Sequence, residues 1–148
     1  MLNPPEASRS YSSVYNNDNI GAGHARSMLD SAQAWSARFN TQNQWMQIDL
    51  GGSQSVVGIV TQKRNGNYDQ YVTSFTVSAC ADAQGTSCTS QWVSVDGGAD
   101  FGGPSPGDAS TERVYAWFAA PVEARLIKIV PMNWHSYISM RAAVLILD

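Results

Sequence analysis

The chain has 148 residues, 43% hydrophobic and only 14% charged, with a net charge of −3. That length suits one packed core and one domain over residues 1–148, and the acidic balance excludes nucleic acid as an expected partner, because phosphate neutralisation needs clustered Lys and Arg. No apolar run approaches the roughly 20 residues that span a bilayer, and Met1-Leu-Asn-Pro-Pro5 lacks the regions of a signal peptide; solubility rests on Ser, Thr, Asn, Gln and Gly, a composition common in extracellular or secreted β-proteins.

The first segment with chemistry is Tyr15 to His24, where Asn17, Asp18 and His24 stand among glycines that let a backbone approach a ligand closely. From Ala25 to Phe39, Met28, Leu29, Ala32, Trp35 and Phe39 roughly fit a helical stripe that Asp30, Ser31 and Ser36 interrupt, so at most a turn or two of helix is expected. A period of two then takes over. Met46, Ile48 and Leu50 share one face, Gly51-Gly52 punctuates, Val56 to Val60 is nearly continuous, and Tyr71, Thr73, Phe75 and Val77 share a face. Val114, Ala116 and Phe118 alternate with Arg113, Tyr115 and Trp117. Leu126, Lys128 and Val130 alternate with Arg125, Ile127 and Ile129, Pro131 halts that strand, and Ile138 to Leu147 closes the chain. About seven strands with Gly- and Pro-rich connections imply an all-β antiparallel sandwich.

Three further features concern chemistry. Between strands, Gln62-Lys-Arg-Asn-Gly-Asn-Tyr-Asp-Gln-Tyr71 is the densest in hydrogen-bonding groups: Arg64 offers a planar fork of donors, Asn65 and Asn67 donate and accept, and Tyr68 can stack on a sugar face. Met132 to Tyr137 forms a third loop with Trp134, His135 and Tyr137. Cys80 and Cys88 flank a turn-rich loop; a local disulfide is favoured there, with two free thiols as the alternative. Asp49 and Arg141 lie among apolar neighbours and are expected to be framework groups satisfied by backbone or by each other.

Trp45-Met-Gln-Ile-Asp-Leu-Gly51, Val57-Gly-Ile-Val-Thr-Gln62, Asp69-Gln-Tyr-Val-Thr-Ser-Phe75, Ala124 to Pro131, Trp134 and Ile138-Ser-Met-Arg141 occur in the order found in the discoidin, or coagulation factor V/VIII type C, domain family. The chain resembles that family over nearly its whole length and is most similar to the slime-mould discoidin lectin domains. The resemblance implies a jelly-roll β-sandwich of about eight strands, of the galactose-binding-domain type, with a binding face of loops at one end. Asp30, five residues before Trp35, is similar to a sugar-contacting aspartate of the lectin members, and Arg64 and Asp69 are implied as sugar contacts. An Arg-Gly-Asp adhesion motif is not transferred, since this chain has Arg64-Asn-Gly-Asn-Tyr-Asp69. Trp134 is implied as framework, Trp35, Trp45, Trp92 and Trp117 are assigned mainly to packing, and His135 and Tyr137 are expected at the surface.

No cofactor is expected. Calcium in related modules often uses a carboxylate two residues after the arginine that matches Arg141, and here that position is Ala143, which leaves only backbone carbonyls for such a site. Family members bind galactose-type sugars, anionic lipids or protein ligands, so the loops must decide. Their amide-rich, aromatic character favours a non-catalytic lectin for galactose or N-acetylgalactosamine glycans, made adhesive by oligomerisation or tandem fusion. The alternative is a membrane-surface or protein-ligand module, for which Met28, Leu29 and Lys63-Arg64 offer the apolar tip and basic collar. No nucleophile elbow, phosphate loop or metal-ligand helix supports an enzyme. Replacing Arg64 by Ala is expected to abolish retention on galactose and leave thermal unfolding nearly unchanged, as for an exposed loop side chain.

Overall fold

Alternation along the chain translates into ten strands in the computed structural model, which describes residues 1–148. They are β1 (Arg9–Tyr11), β2 (Trp35–Ser36), β3 (Met46–Gln62), β4 (Tyr71–Cys80), β5 (Ala83–Gln84), β6 (Ser87–Cys88), β7 (Val93–Ser94), β8 (Phe101–Gly102), β9 (Val114–His135) and β10 (Ser139–Ile146). Apart from the β5–β6 hairpin they form one antiparallel sheet of eight strands, in the path β2-β10-β3-β9-β4-β7 with β1 beside β3 and β8 beside β4. The long alternating runs fall in four of these strands, β3, β4, β9 and β10, and the other six are two or three residues long, too short to show a period.

The sheet folds over itself because its two longest strands turn a corner. Met46–Asp49 of β3 pairs with Leu126–Ile129 of β9, whereas Gly58–Thr61 pairs with Val114–Trp117, and the register slips between Asp49 and Gln54 and again between Val56 and Gly58. The first half of β3 carries β1, and the second half of β9 carries β4; the second half of β3 carries β10. Two layers result, joined by continuous backbone. Gly51-Gly52, expected as a loop, is instead the bend within β3, with Gly51 at φ +81° where a side chain would be strained. Likewise the runs 114–118 and 125–130 are halves of one strand, and Pro131 does not halt it: β9 continues to His135, with the register against β4 shifting beside Pro131.

Between the layers, 21 buried residues including Trp35, Met46, Ile48, Ile59, Phe75, Ile127, Ile129 and Ile138 form the main core, each fully buried aliphatic side chain contributing on the order of 2 kcal/mol. A satellite cluster of Leu29, Val60, Ala143 and Leu145 covers part of the outer face of the β10–β3 layer. That division explains why the expected helical turn at Ala25–Phe39 is absent. A helix would put Leu29 and Trp35 on one stripe, but Leu29 packs outside the layer and Trp35 inside it, so the segment wraps the edge as turns with a bridge from Ala25 to Trp35.

Of the tryptophans assigned to packing, Trp35 is fully buried with Nε1 donating to Ser13 O at 2.8 Å. Trp45 and Trp92 are half-buried, each with its ring over or under the Lys128 ammonium at 4.8 and 4.2 Å, and Trp134 packs against the core as expected. Trp117 is the exception: it stands 62% exposed on the outer face of β9. Asp49 and Arg141 are framework groups, satisfied separately rather than by each other: Asp49 accepts from Arg125, and Arg141 donates to three backbone carbonyls. Cys80 and Cys88 are disulfide-bonded and close the loop that contains the β5–β6 hairpin.

Candidate functional site

Three loops meet at the end of the sandwich where β3 stops and β4 begins. The loop Lys63–Gln70 joins those strands, the long segment between β1 and β2 lies on one side of it, and the turn between β9 and β10 lies on the other. Contacts between the loops are direct. Arg64 Nε donates to Gln33 Oε1 at 2.7 Å, Asn65 Nδ2 donates to Ala32 O at 3.3 Å, His135 Nε2 pairs with Asp69 Oδ2 at 2.9 Å, and the rings of Tyr15 and Tyr137 meet edge to face at 6.0 Å.

Arg64 is the centre of this arrangement and is not the solvated loop side chain expected. It is only 8% exposed. Besides the bond to Gln33, its Nη1 donates to Gln70 Oε1 at 2.9 Å, and its guanidinium lies 3.7 Å from the centroid of the Tyr68 ring. Nη2 makes no protein hydrogen bond. The planar group is thus held by two amide oxygens and an aromatic face, with three N–H donors left over, one on Nη1 and two on Nη2. The exposure on which the expectation of nearly unchanged thermal unfolding rested is absent: Arg64 is buried, and without it Gln33 Oε1 would lose its donor while Gln70 Oε1 would keep only that from Ser139 Oγ.

Around it, Tyr68 is 57% exposed, and Asn67, Tyr68 and Asp69 line an open depression of about 180 Å³ with Asp108 on the far wall. His135 is exposed as expected and stacks on Tyr71 at 5.1 Å, while Lys63 Nζ lies 4.2 Å from the same ring. Ser136, at φ +64°, makes the tight turn that brings Tyr137 back, and Tyr137 is half-buried rather than free at the surface.

Two clusters flank the centre. On one side, Asp18 Oδ2 accepts from the His24 backbone N–H at 2.9 Å and faces His24 Nδ1 at 2.8 Å, bonds that hold the Asp18 carboxyl below the usual carboxylate range. Tyr15 packs its ring against His24, and Asn17, in left-handed backbone, accepts from Arg38 Nη1 at 3.2 Å. On the other side, Asp30 is also left-handed. Its carboxylate accepts from Gln62 Nε2 at 2.9 Å and Arg113 Nη2 at 2.6 Å, and these two contacts depress its pKa. Asp30 therefore sits at the rim, beside Arg64 through Gln62 and Gln33, and its side chain is 60% exposed.

The carbonyls that a structural calcium would need in this region are already engaged. Ser31 Oγ donates to Arg26 O and Gln33 O, Ser31 N donates to Met28 O, and Arg141 donates to the carbonyls of Lys63, Ser31 and Ser110 at 2.8, 2.9 and 2.6 Å. Oxygens committed to a guanidinium do not suit a dication, so calcium does not fit here. The residues offered for membrane contact also differ from expectation: Leu29, Lys63 and Arg64 are all buried, with Leu29 in the satellite cluster. A larger depression of about 440 Å³ lies at the opposite end, among Ala79, Val93 and Val122, and holds none of the candidate residues.

Gln33, Gln70 and Arg113 complete the site and were not singled out by the sequence. A glutamine in a polar loop carries no local sign of its partner; only the pairing of loops 31 residues apart reveals it.

The F5/8 type C domain model matches residues 7–144. The chain belongs to that family. F5/8 type C domains are generally non-catalytic. Lactadherin from Sus scrofa is 35% identical over 115 residues, which cover 76% of this chain but 27% of lactadherin, so this F5/8 type C domain spans about a quarter of that relative's length. Among solved structures, discoidin II from Dictyostelium discoideum is similar with a TM-score of 0.69 and 24% identity, over 95% of this chain and 54% of discoidin II. The family 32 carbohydrate-binding module of C. perfringens NanJ, solved in complex with galactose, is similar with a TM-score of 0.61 and 15% identity, over 92% of this chain and 87% of the module. These likenesses show the jelly-roll fold of the galactose-binding-domain type.

Proposed function

We propose that this F5/8 type C domain is a lectin-like module without catalytic activity that takes galactose or N-acetylgalactosamine residues of glycans at the three-loop end. The observation that carries the reading is the state of Arg64: a buried, planar cation fixed by Gln33 and Gln70, with Nη2 unpaired beside a half-exposed tyrosine ring. Adjacent sugar hydroxyls accept from such a fork, and the amides of Asn65 and Asn67 supply donors and acceptors nearby. An aromatic face offers dispersion to the apolar side of a pyranose, the role given to Tyr68. The NanJ module, which shares the fold, was solved in complex with galactose, and that supports a hexose as the ligand class.

Neither histidine faces a hydroxyl or thiol nucleophile; each is turned to an aspartate, which supports binding rather than catalysis. The disulfide supports an extracellular setting. A shallow site of this kind binds weakly, and adhesion or glycan targeting would come from several copies on one assembly.

The test is retention on a galactose matrix and on a glycan array. Tyr68→Ala, at an exposed ring, is expected to reduce retention about tenfold, the effect of roughly 1.4 kcal/mol of lost stacking, with the melting temperature lowered by no more than about 4 °C through loss of the contact with Arg64. A domain that ignores every galactose-terminated glycan, or a Tyr68→Ala variant that is retained as well as the parent, defeats the proposal.

A further inference from the structure

We infer that the aromatic strip Tyr115–Trp117 on the flank of β9 continues the loop site, so that the domain binds an oligosaccharide chain running from the loops down the side of the sandwich. The inference rests on the loop end taking a hexose.

Alternation along the first half of β9 turns Ala116 and Phe118 toward the core and Arg113, Tyr115 and Trp117 outward. Tyr115 is 50% and Trp117 62% exposed, and their rings lie 6.4 Å apart with planes within 13° of parallel. Two large rings standing side by side in water near the start of a strand are not a packing requirement of this fold. The neighbouring row shows the contrast: Val60, opposite Tyr115, is covered by Leu29 and Ala143, whereas Gly58, opposite Trp117, offers no side chain at all. A Cβ on Gly58 would stand 2.4 Å from the Ala116 carbonyl oxygen and 3.0 Å from Leu145 Cδ1, so the position paired with Trp117 must stay without a side chain.

Continuity with the loops comes through Arg113. It shares the outer face with Tyr115 and Trp117, and its Nη2 is bonded to Asp30, which Gln62 ties to the strand leading into Lys63 and Arg64. A line of polar and then aromatic groups therefore runs from Arg64 through Asp30 and Arg113 to Tyr115 and Trp117. Successive outward residues on a strand are about 6.6 Å apart, so the two half-exposed rings form one aromatic platform long enough to meet more than one sugar of a chain. A carboxylate and a guanidinium between the two regions suit the hydroxyls of the intervening sugar.

The experiment compares galactose with a linear galactose-terminated tetrasaccharide by titration calorimetry, using the parent domain, Trp117→Ala and Tyr68→Ala. The parent is expected to bind the tetrasaccharide about tenfold more tightly than galactose. Trp117→Ala should lose that gain, keep its galactose affinity and keep its melting temperature; Tyr68→Ala should weaken both ligands. Equal affinity of the parent for the two sugars, or an unaltered gain in Trp117→Ala, overturns the extension and leaves the loop site standing. Binding of neither sugar overturns both readings. Sedimentation settles the rival occupant: a parent that dimerises while Trp117→Ala stays monomeric assigns the strip to a second copy and overturns the inference.

Discussion

Arg64 joins two roles that sequence separates. A guanidinium that is both buried and hydrogen-bonded to neutral amides stabilises the loops it links, and the same bonds fix the donors it shows to a ligand. Arg64→Ala is therefore expected to lower stability by about 2 kcal/mol, since charged hydrogen bonds contribute about 1.5–3 kcal/mol each and part of this group reaches solvent. That corresponds to a fall in melting temperature of roughly 4–8 °C for a chain of this size, measured by thermal circular dichroism. An unchanged melting temperature would mean that Gln33 and Gln70 find water equally good. The residue types of the site were legible: Arg64, Asp30, Asp69 and His135 stand where hydrogen-bonding density and the family resemblance placed them, at one end of the fold. Their partners were not: Gln33 and Arg113 acquire meaning only when distant segments meet, and Gln70 only when its own loop folds back on Arg64.

At the scale of strands, two buried arginines do what a longer hydrophobic run cannot. Arg9 on β1 donates to the carbonyls of Pro4, Ser27 and Ala142, and Arg141 on β10 donates to those of Lys63, Ser31 and Ser110. Each stitches a strand to loop backbone that has no ladder of its own, and Arg9 also ties β1 to Ala142 of β10. Burial lowers the pKa of both guanidinium groups, yet each stays surrounded by acceptors. Arg141→Met keeps much of the volume and leaves three buried or half-buried carbonyls without a donor, each costing about 1–3 kcal/mol. A loss of at least about 3 kcal/mol is expected in denaturant unfolding, together with loss of glycan retention, because Ser31 and Lys63 border the site. A stable Arg141→Met variant would show that water reaches those carbonyls. Strand existence was legible from period two at Met46–Leu50 and Arg125–Val130. The continuity of β3 and β9 was not: Gly51, Pro121 and Pro131 are turn residues locally, yet Pro131 is paired with Phe75, and the β3–β9 ladder skips Gly51 and Pro121 and resumes on the far side of each.

Across the whole molecule, the ten residues of β4 separate the loop end from the disulfide end. Tyr71 opens the strand under His135 at the loop end, and Cys80 closes it at the disulfide end. The disulfide closes a loop of sequence separation 8, which by loop-closure entropy contributes about 2.5 kcal/mol. Removing it by the paired substitutions Cys80→Ser and Cys88→Ser is expected to lower the melting temperature by roughly 5–10 °C. Glycan affinity at the loop end should hold within twofold, because the stiff sheet between the ends has no second arrangement through which one could bias the other. Calorimetric titration of the folded double variant with galactose, well below its melting temperature, checks this. A loss of affinity in a fully folded variant would show that the disulfide loop and the binding loops are coupled, and that the sheet transmits what its continuous ladders are expected to hold fixed.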